Sequence, residues 1–140
     1  MAVEHGMSLP EFGRYAADHP EVDVELDQRL AARAREGDVV IESRLAGWIA
    51  RNEGLPAVRA WVDCAPEVRA ERVAAREGAS VERALADNLE RERVERDRYL
   101  ALYGIDVGDR SIYDVLVDSS TRPADEVAEE IVAAALARFG

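Results

Sequence analysis

An α/β domain, built on a parallel sheet with helices on both faces, is what this 140-residue sequence predicts. Three observations lead there. Val39-Val40-Ile41 and Val115-Leu116-Val117 are apolar, mostly β-branched runs without polar alternation, the pattern of strands buried on both faces. Helical patterns separate the candidate strands, so their connections are crossovers rather than hairpins. Prolines and glycines punctuate those helices at their starts and stops.

The elements follow in order. Ser8-Leu9-Pro10-Glu11 is an S-x-x-E capping box with proline in the first turn, which predicts a helix from about Leu9 to Asp18. His19-Pro20 ends it, and a second helix runs to about Glu36, with Val22, Leu26 and Leu30 on one stripe and Gly37 as its left-handed stop. Asp38 to Glu42 predicts a short buried strand whose C-terminal end carries Glu42, Ser43 and Arg44. Leu45 to Arg51 predicts a short helix, Asn52 to Pro56 a turn, and Val58 to Asp63 a second strand containing Trp61. Pro66 opens a helix that Gly78 closes; Ser80 caps a longer one that reaches Tyr103 before Gly104. This longer helix has apolar anchors at Leu85, Leu89, Tyr99, Leu102 and Tyr103, but between Glu90 and Arg98 only Val94 is uncharged. A helix so polar is a solvated bridge or the wall of an ionic cleft. Ser111 to Asp118 contains a third strand, and Pro123 opens a last helix with Val127, Ile131, Ala135 and Phe139 expected to face inward. No repeat, low-complexity segment or linker interrupts residues 1–140, so a single domain is expected.

The charge pattern is the most informative feature. All 18 basic residues are arginine, and there is no lysine. Arg69, Arg72 and Arg76 lie on one predicted helix, Arg91 and Arg98 on the next, and spacings of three, four and seven put each set on one face. Two such faces can close on a phosphate, whose oxygens the guanidinium fork grips in pairs. No G-x-x-x-x-G-K-[ST] loop accompanies them.

The 29 acids give a formal charge of -11, which argues against general nucleic-acid binding because that affinity needs clustered cations with few acids among them. Acid excess without lysine fits a high-salt cytoplasm, where screening relieves carboxylate repulsion. GC-rich coding explains arginine over lysine but not the acid excess. The one cysteine, Cys64, excludes an internal disulfide and fits a reducing compartment; just after a strand, it is expected to be a small buried residue rather than a nucleophile. No apolar run approaches the ~18 residues of a membrane span. The N-terminus has neither a basic n-region nor an apolar h-region, so a soluble cytoplasmic protein without membrane or nucleic-acid partners is expected. His5 and His19 lack metal-ligand spacing and are expected in loops or caps.

Five segments carry a family resemblance: MSLPEFGRYAADHPEVDVELD, DVVIESRLAGW, AWVDCAPEVRAERVAAREG, RERVERDRY and YGIDVGDRSIYDVLVDSS. In this order and at these separations the chain resembles the cytidylate kinases, particularly the compact archaeal form. The resemblance implies a P-loop nucleoside monophosphate kinase core with a five-stranded parallel sheet and a small mobile lid, here at about residues 66–98. It implies transfer of the ATP γ-phosphate to CMP or dCMP with Mg2+, by a monomer whose partners are small nucleotides.

Carried over by position, Arg91, Glu95 and Arg98 resemble the arginine, acid and arginine that hold the monophosphate nucleotide. Residues at i, i+4 and i+7 share a face, so two cations can grip phosphate while the carboxylate between accepts a sugar hydroxyl. Arg69, Arg72 and Arg76 resemble lid arginines that act on the transferring phosphoryl group. Against this stands a solvated helix decorated by pairs such as Glu92-Arg96, the role expected for Arg83, Arg93 and Arg96. Arg44 resembles the arginine of the family's G-R-L turn, although Ser43 replaces the glycine. Glu42 stands where a strand-end acid either holds magnesium through water or acts as a structural acceptor.

The family begins with a strand, the phosphate loop and a helix. Met1 to Gly6 instead resembles the tail of the following helix, so the N-terminal strand and P-loop, roughly 40 residues of the pattern, are expected to be absent. Such a chain is expected to be inactive alone, with an open groove where a central strand belongs. Two alternatives stay open: a kinase of another small acceptor, such as a different monophosphate or a shikimate-like alcohol, and a non-catalytic nucleotide-binding remnant or interaction module.

Overall fold

The computed structural model describes residues 3–140, apart from the side chains of Leu9 and Pro10. They form two compact units, one ending at Ala57 and one running from Val58 to Gly140.

The first unit is helical: α1 (Leu9–Asp18), α2 (Pro20–Arg35) and α3 (Ala46–Asn52). The capping box forms as the sequence predicts, with Ser8 N donating to Glu11 Oε2 at 2.9 Å and Glu11 N to Ser8 Oγ at 3.4 Å. His19 ends α1 and stands at the N-cap of α2, while Val22, Ala31, Leu45, Trp48 and Ala50 are buried. Leu26, expected on the buried stripe, is 41% exposed, whereas Val22 on the same stripe is buried. Met1 and Ala2 lie outside the described residues, and Val3 to Gly6 form turns rather than a helix tail.

The strand expected at Asp38–Glu42 does not form. Gly37 and Asp38 take positive φ of 78° and 49°, so the chain turns through two left-handed residues where the extended run should begin. Val40 is 97% exposed, and among the described residues of this unit no strand offers a ladder of hydrogen bonds. Branched side chains favour extension, but a strand exists only with a partner.

The second unit contains β1 (Ala60–Asp63), α4 (Pro66–Glu77), α5 (Val81–Tyr103), β2 (Val115–Asp118) and α6 (Ala124–Phe139). The two strands pair in parallel with Trp61 opposite Leu116 and Val62 opposite Val117. Among the described residues the sheet has these two strands, not the five that the resemblance implied. Ala70, Ala74 and Ala84 bring α4 and α5 together, with Val73 and Leu85 packed beside them; alanines at the contact let the backbones approach closely. Helix α6 packs on β2 through the buried Val127. Its far end differs from expectation: Phe139 is 59% exposed because the four-residue strand is shorter than the 16-residue helix above it. Among the described residues no helix is long and apolar enough to cross a membrane.

Candidate functional site

Arg91, Glu95 and Arg98 occupy one side of α5, as their spacing predicts. The Arg91 Nε lies 3.5 Å from Glu95 Oε1, with the arginine side chain 73% exposed and the glutamate 15%. The carboxylate is thus set down against the protein while the cation stands above it. One turn on, Arg98 places its guanidinium 5.1 Å from the centre of the Tyr99 ring, and its Nη2 donates to the Tyr99 hydroxyl at 3.4 Å. An acceptor carboxylate between two fork-shaped donors matches a ligand carrying both a phosphate and a hydroxyl.

The three α4 arginines do not converge. Arg69 Nη1 donates to Glu92 Oε1 across the helix hairpin, and its Nε is buried without a hydrogen-bond acceptor. Arg72 points to the carboxyl ends of the strands, where Nη2 donates to the Ser119 carbonyl at 2.7 Å and Nη1 approaches Ser119 Oγ at 3.4 Å and Cys64 Sγ at 3.5 Å. Arg76 is 73% exposed and lies 3.8 Å from Glu77. Spacing along one helix puts three side chains on one broad face, but each then bonds to whatever acceptor its own position meets.

The surroundings of Arg72 are tightly built. Ser119 donates to the Asp63 carbonyl from both N (2.8 Å) and Oγ (2.9 Å), and Ala65 N donates to Ser120 Oγ at 2.8 Å. The Ser120 hydroxyl, with the Ser120 N–H, holds the Asp118 carboxyl below its ordinary range. Cys64 is half-buried rather than buried, because it sits in the turn leaving β1 instead of within the strand.

In the first unit, Glu42 and Arg44 lie exposed in the loop before α3. Ser43, standing for the family's glycine, uses its Oγ to accept from Leu45 N at 3.2 Å, so the departure supplies a local turn contact. No group of three metal-ligating side chains occurs among the described residues, Glu42 included. His5 lies in a turn and His19 at the α1–α2 junction, as expected; Tyr15 stacks on His19 at 3.9 Å between ring centres.

One pairing differs from the expected decoration of α5. Glu92 bonds to Arg69 and Arg96 bonds to Asp106, so the expected Glu92-Arg96 pair gives way to two longer-range contacts. Asp106-Val107-Gly108 is an Asp-x-Gly turn signal visible in the sequence, and it marks where Arg96 finds its partner. Nothing in the spacing announces Ser119 as the partner of Arg72.

The model of the cytidylate kinase-like family matches residues 5–121 of the chain. A cytidylate kinase of Pyrococcus horikoshii is 55% identical over 120 residues, covering 86% of this chain and 61% of that protein. One of Pyrococcus furiosus is 52% identical over 127 residues, with 91% and 65% covered. One of Methanocaldococcus jannaschii is 45% identical over 121 residues, with 86% and 68% covered. The chain therefore spans less than two thirds of the length of its Pyrococcus relatives. No solved structure matches it.

Proposed function

The chain belongs to the cytidylate kinase-like family, and from that premise we propose that it supplies the acceptor side of an ATP-dependent kinase for CMP and dCMP. Its relatives are named cytidylate kinase, which supports phosphorylation of CMP as the reaction class. The observation that carries the assignment is the α5 face, where the shielded Glu95 carboxylate lies between Arg91 and Arg98.

In this proposal the two arginines hold the CMP phosphate and Glu95 accepts a sugar hydroxyl. A phosphate oxygen of CMP attacks the γ-phosphorus of ATP, the bond to the β–γ bridging oxygen breaks, and CDP and ADP result. For the α4 arginines to act on the phosphoryl group, Arg69 must leave Glu92 and Arg72 must leave Ser119; Arg76, 73% exposed and 3.8 Å from Glu77, moves most cheaply. Magnesium in such reactions rides mainly on nucleotide phosphates and water. No group of three carboxylate, histidine or cysteine side chains that could cage it occurs among the described residues.

The 140 residues contain no lysine and no glycine-rich phosphate loop, so for this chain by itself the proposal is nucleotide binding without phosphoryl transfer. The same observation favours a second reading, a non-catalytic nucleotide-binding module. A kinase of another small acceptor differs from both in its ligand. Calorimetric titration with CMP, dCMP, AMP and UMP separates them: preference for the cytidine nucleotides supports the acceptor assignment, and equal binding of all four removes it.

A further inference from the structure

Arg96 leaves α5 one residue past Glu95 and meets Asp106 in an ion pair, in which Nη2 donates to Oδ2 at 3.1 Å and Nε lies 3.0 Å from Oδ1. Asp106 Oδ1 also accepts from Gly108 N at 2.8 Å, folding the α5–β2 loop back on the carboxylate. A Cβ on Gly108 would lie 3.1 Å from that Oδ1 and 3.3 Å from Arg96 Cζ, so the close approach uses the missing side chain. The Gly108 N–H, with a further contribution from Arg96, holds the Asp106 carboxyl below its ordinary range.

The same loop reaches the sheet. Arg110 Nη1 donates to the Val107 carbonyl at 2.8 Å, and its guanidinium lies 3.9 Å from the ring centre of Trp61 on β1. Tyr113 packs against Trp61 at 5.3 Å, and Asp114 Oδ2 accepts from Arg59 N at 2.8 Å, fixing the loop where β2 begins. A continuous path thus joins α5 to β1: Arg96, Asp106, the turn at Val107, Arg110, Trp61.

We propose that this path is a positioning relay, in which Arg96 and Arg110 key α5 to the sheet and so fix where Glu95 and Arg98 stand. Its effect on nucleotide binding rests on the function proposed above; the relay itself does not. Arg96 and Asp106 are 58% and 45% exposed, and a pair so solvated adds little stability. What it supplies is geometry: the fork fixes distance and orientation together, which a lysine point charge does not.

Incorporation of 5-fluorotryptophan gives the chain two 19F resonances, for Trp48 and Trp61, which a Trp61→Phe variant assigns. Arg96→Gln is expected to shift the Trp61 resonance and leave that of Trp48 in place. Gly108→Ala, which crowds the latch without removing charge, is expected to do the same, and Arg96→Lys to shift it less. Arg93→Gln is the control, because among the described residues Arg93 bonds to Glu90 and Asp97 of its own helix, and it should move neither resonance. A Trp61 resonance unmoved in both Arg96→Gln and Gly108→Ala overturns the relay. CMP affinity of Arg96→Gln is expected to fall about three- to tenfold, equivalent to ~0.6–1.4 kcal/mol. Unchanged affinity alongside a shifted resonance overturns the positioning role. Failure of the unaltered chain to bind CMP counts against the proposed function, and the resonances still decide the relay.

Discussion

Arg69 on α4 and Glu92 on α5 are joined in an ion pair across the helix hairpin, each side chain about one third exposed at 32% and 35%. The pair lies beside the alanine contact of Ala70, Ala74 and Ala84, so it clips together two helices that small side chains already bring close.

The pair is intermediate between a surface bridge and a buried one. Glu92→Ala is expected to lower unfolding stability by about 1–2 kcal/mol, measured by urea denaturation, since surface pairs contribute ~0–1 and breaking buried ones costs ~3–5. Converting both residues to methionine should recover most of the loss, because no charge is then left without its partner. The same Glu92→Ala change frees Arg69, so inorganic phosphate should bind more tightly if Arg69 contacts phosphate. A loss below ~0.3 kcal/mol, near the value of a solvated helix pair, contradicts the clip.

Arg72 makes an opposite prediction from Arg76. Its charge-assisted bond to the Ser119 carbonyl ties α4 to the end of β2, so Arg72→Ala should cost about 1–2 kcal/mol of stability, a partly solvated case of such a bond. Arg76→Ala, at a side chain 73% exposed, should leave the unfolding midpoint within about 0.5 kcal/mol of the parent. Equal midpoints for the two variants contradict an anchoring role for Arg72.

Helix boundaries were the most legible part of this fold, because their causes are local. Ser8 and Glu11 close their own capping box, Pro20 and Pro66 start helices, and Gly78 and Gly104 end them, each within a turn of the residues affected. The strand at Val39–Ile41 was not legible, because pairing is a property of two segments and Gly37-Asp38 turns the chain before this one. The site divides similarly. Spacing places Arg91, Glu95 and Arg98 on one face, but whether Arg96 bonds to Glu92 or Asp106, and Arg72 to a ligand or Ser119, depends on what the tertiary fold brings opposite.

Asp106 gives a pH-dependent prediction. Its carboxyl is lowered from the ordinary Asp value of 3.8, chiefly by the Gly108 N–H. A group depressed in the folded state stabilises the fold above its unfolded pKa, and that contribution is lost as pH falls through the folded value. The difference in unfolding midpoint between the parent and Asp106→Asn should therefore be full at neutral pH and shrink below about pH 4. A constant difference from pH 7 to 3 contradicts the assigned bonds.

Salt tests the meaning of the acid excess. With a formal charge of -11, the unfolding midpoint should rise as monovalent chloride increases, because the Debye length falls from ~10 Å at 0.1 M to ~3 Å at 1 M. CMP affinity should move the other way, since the pairing of phosphate with Arg91 and Arg98 is screened by the same ions. A flat or falling midpoint between 0.1 and 2 M removes the high-salt interpretation of the composition.

Titration of the 140-residue chain with CMP, repeated on Arg98→Ala and accompanied by an ADP-release assay with ATP, tests the acceptor-side assignment most directly. Saturable CMP binding is expected, with a loss of about 1.5–3 kcal/mol on removing Arg98, as for a hydrogen bond to a charged group, and no ADP formation. CMP binding that is absent, or as tight in Arg98→Ala as in the parent, contradicts the α5 site, and robust ADP formation contradicts the proposal that this chain binds without transferring.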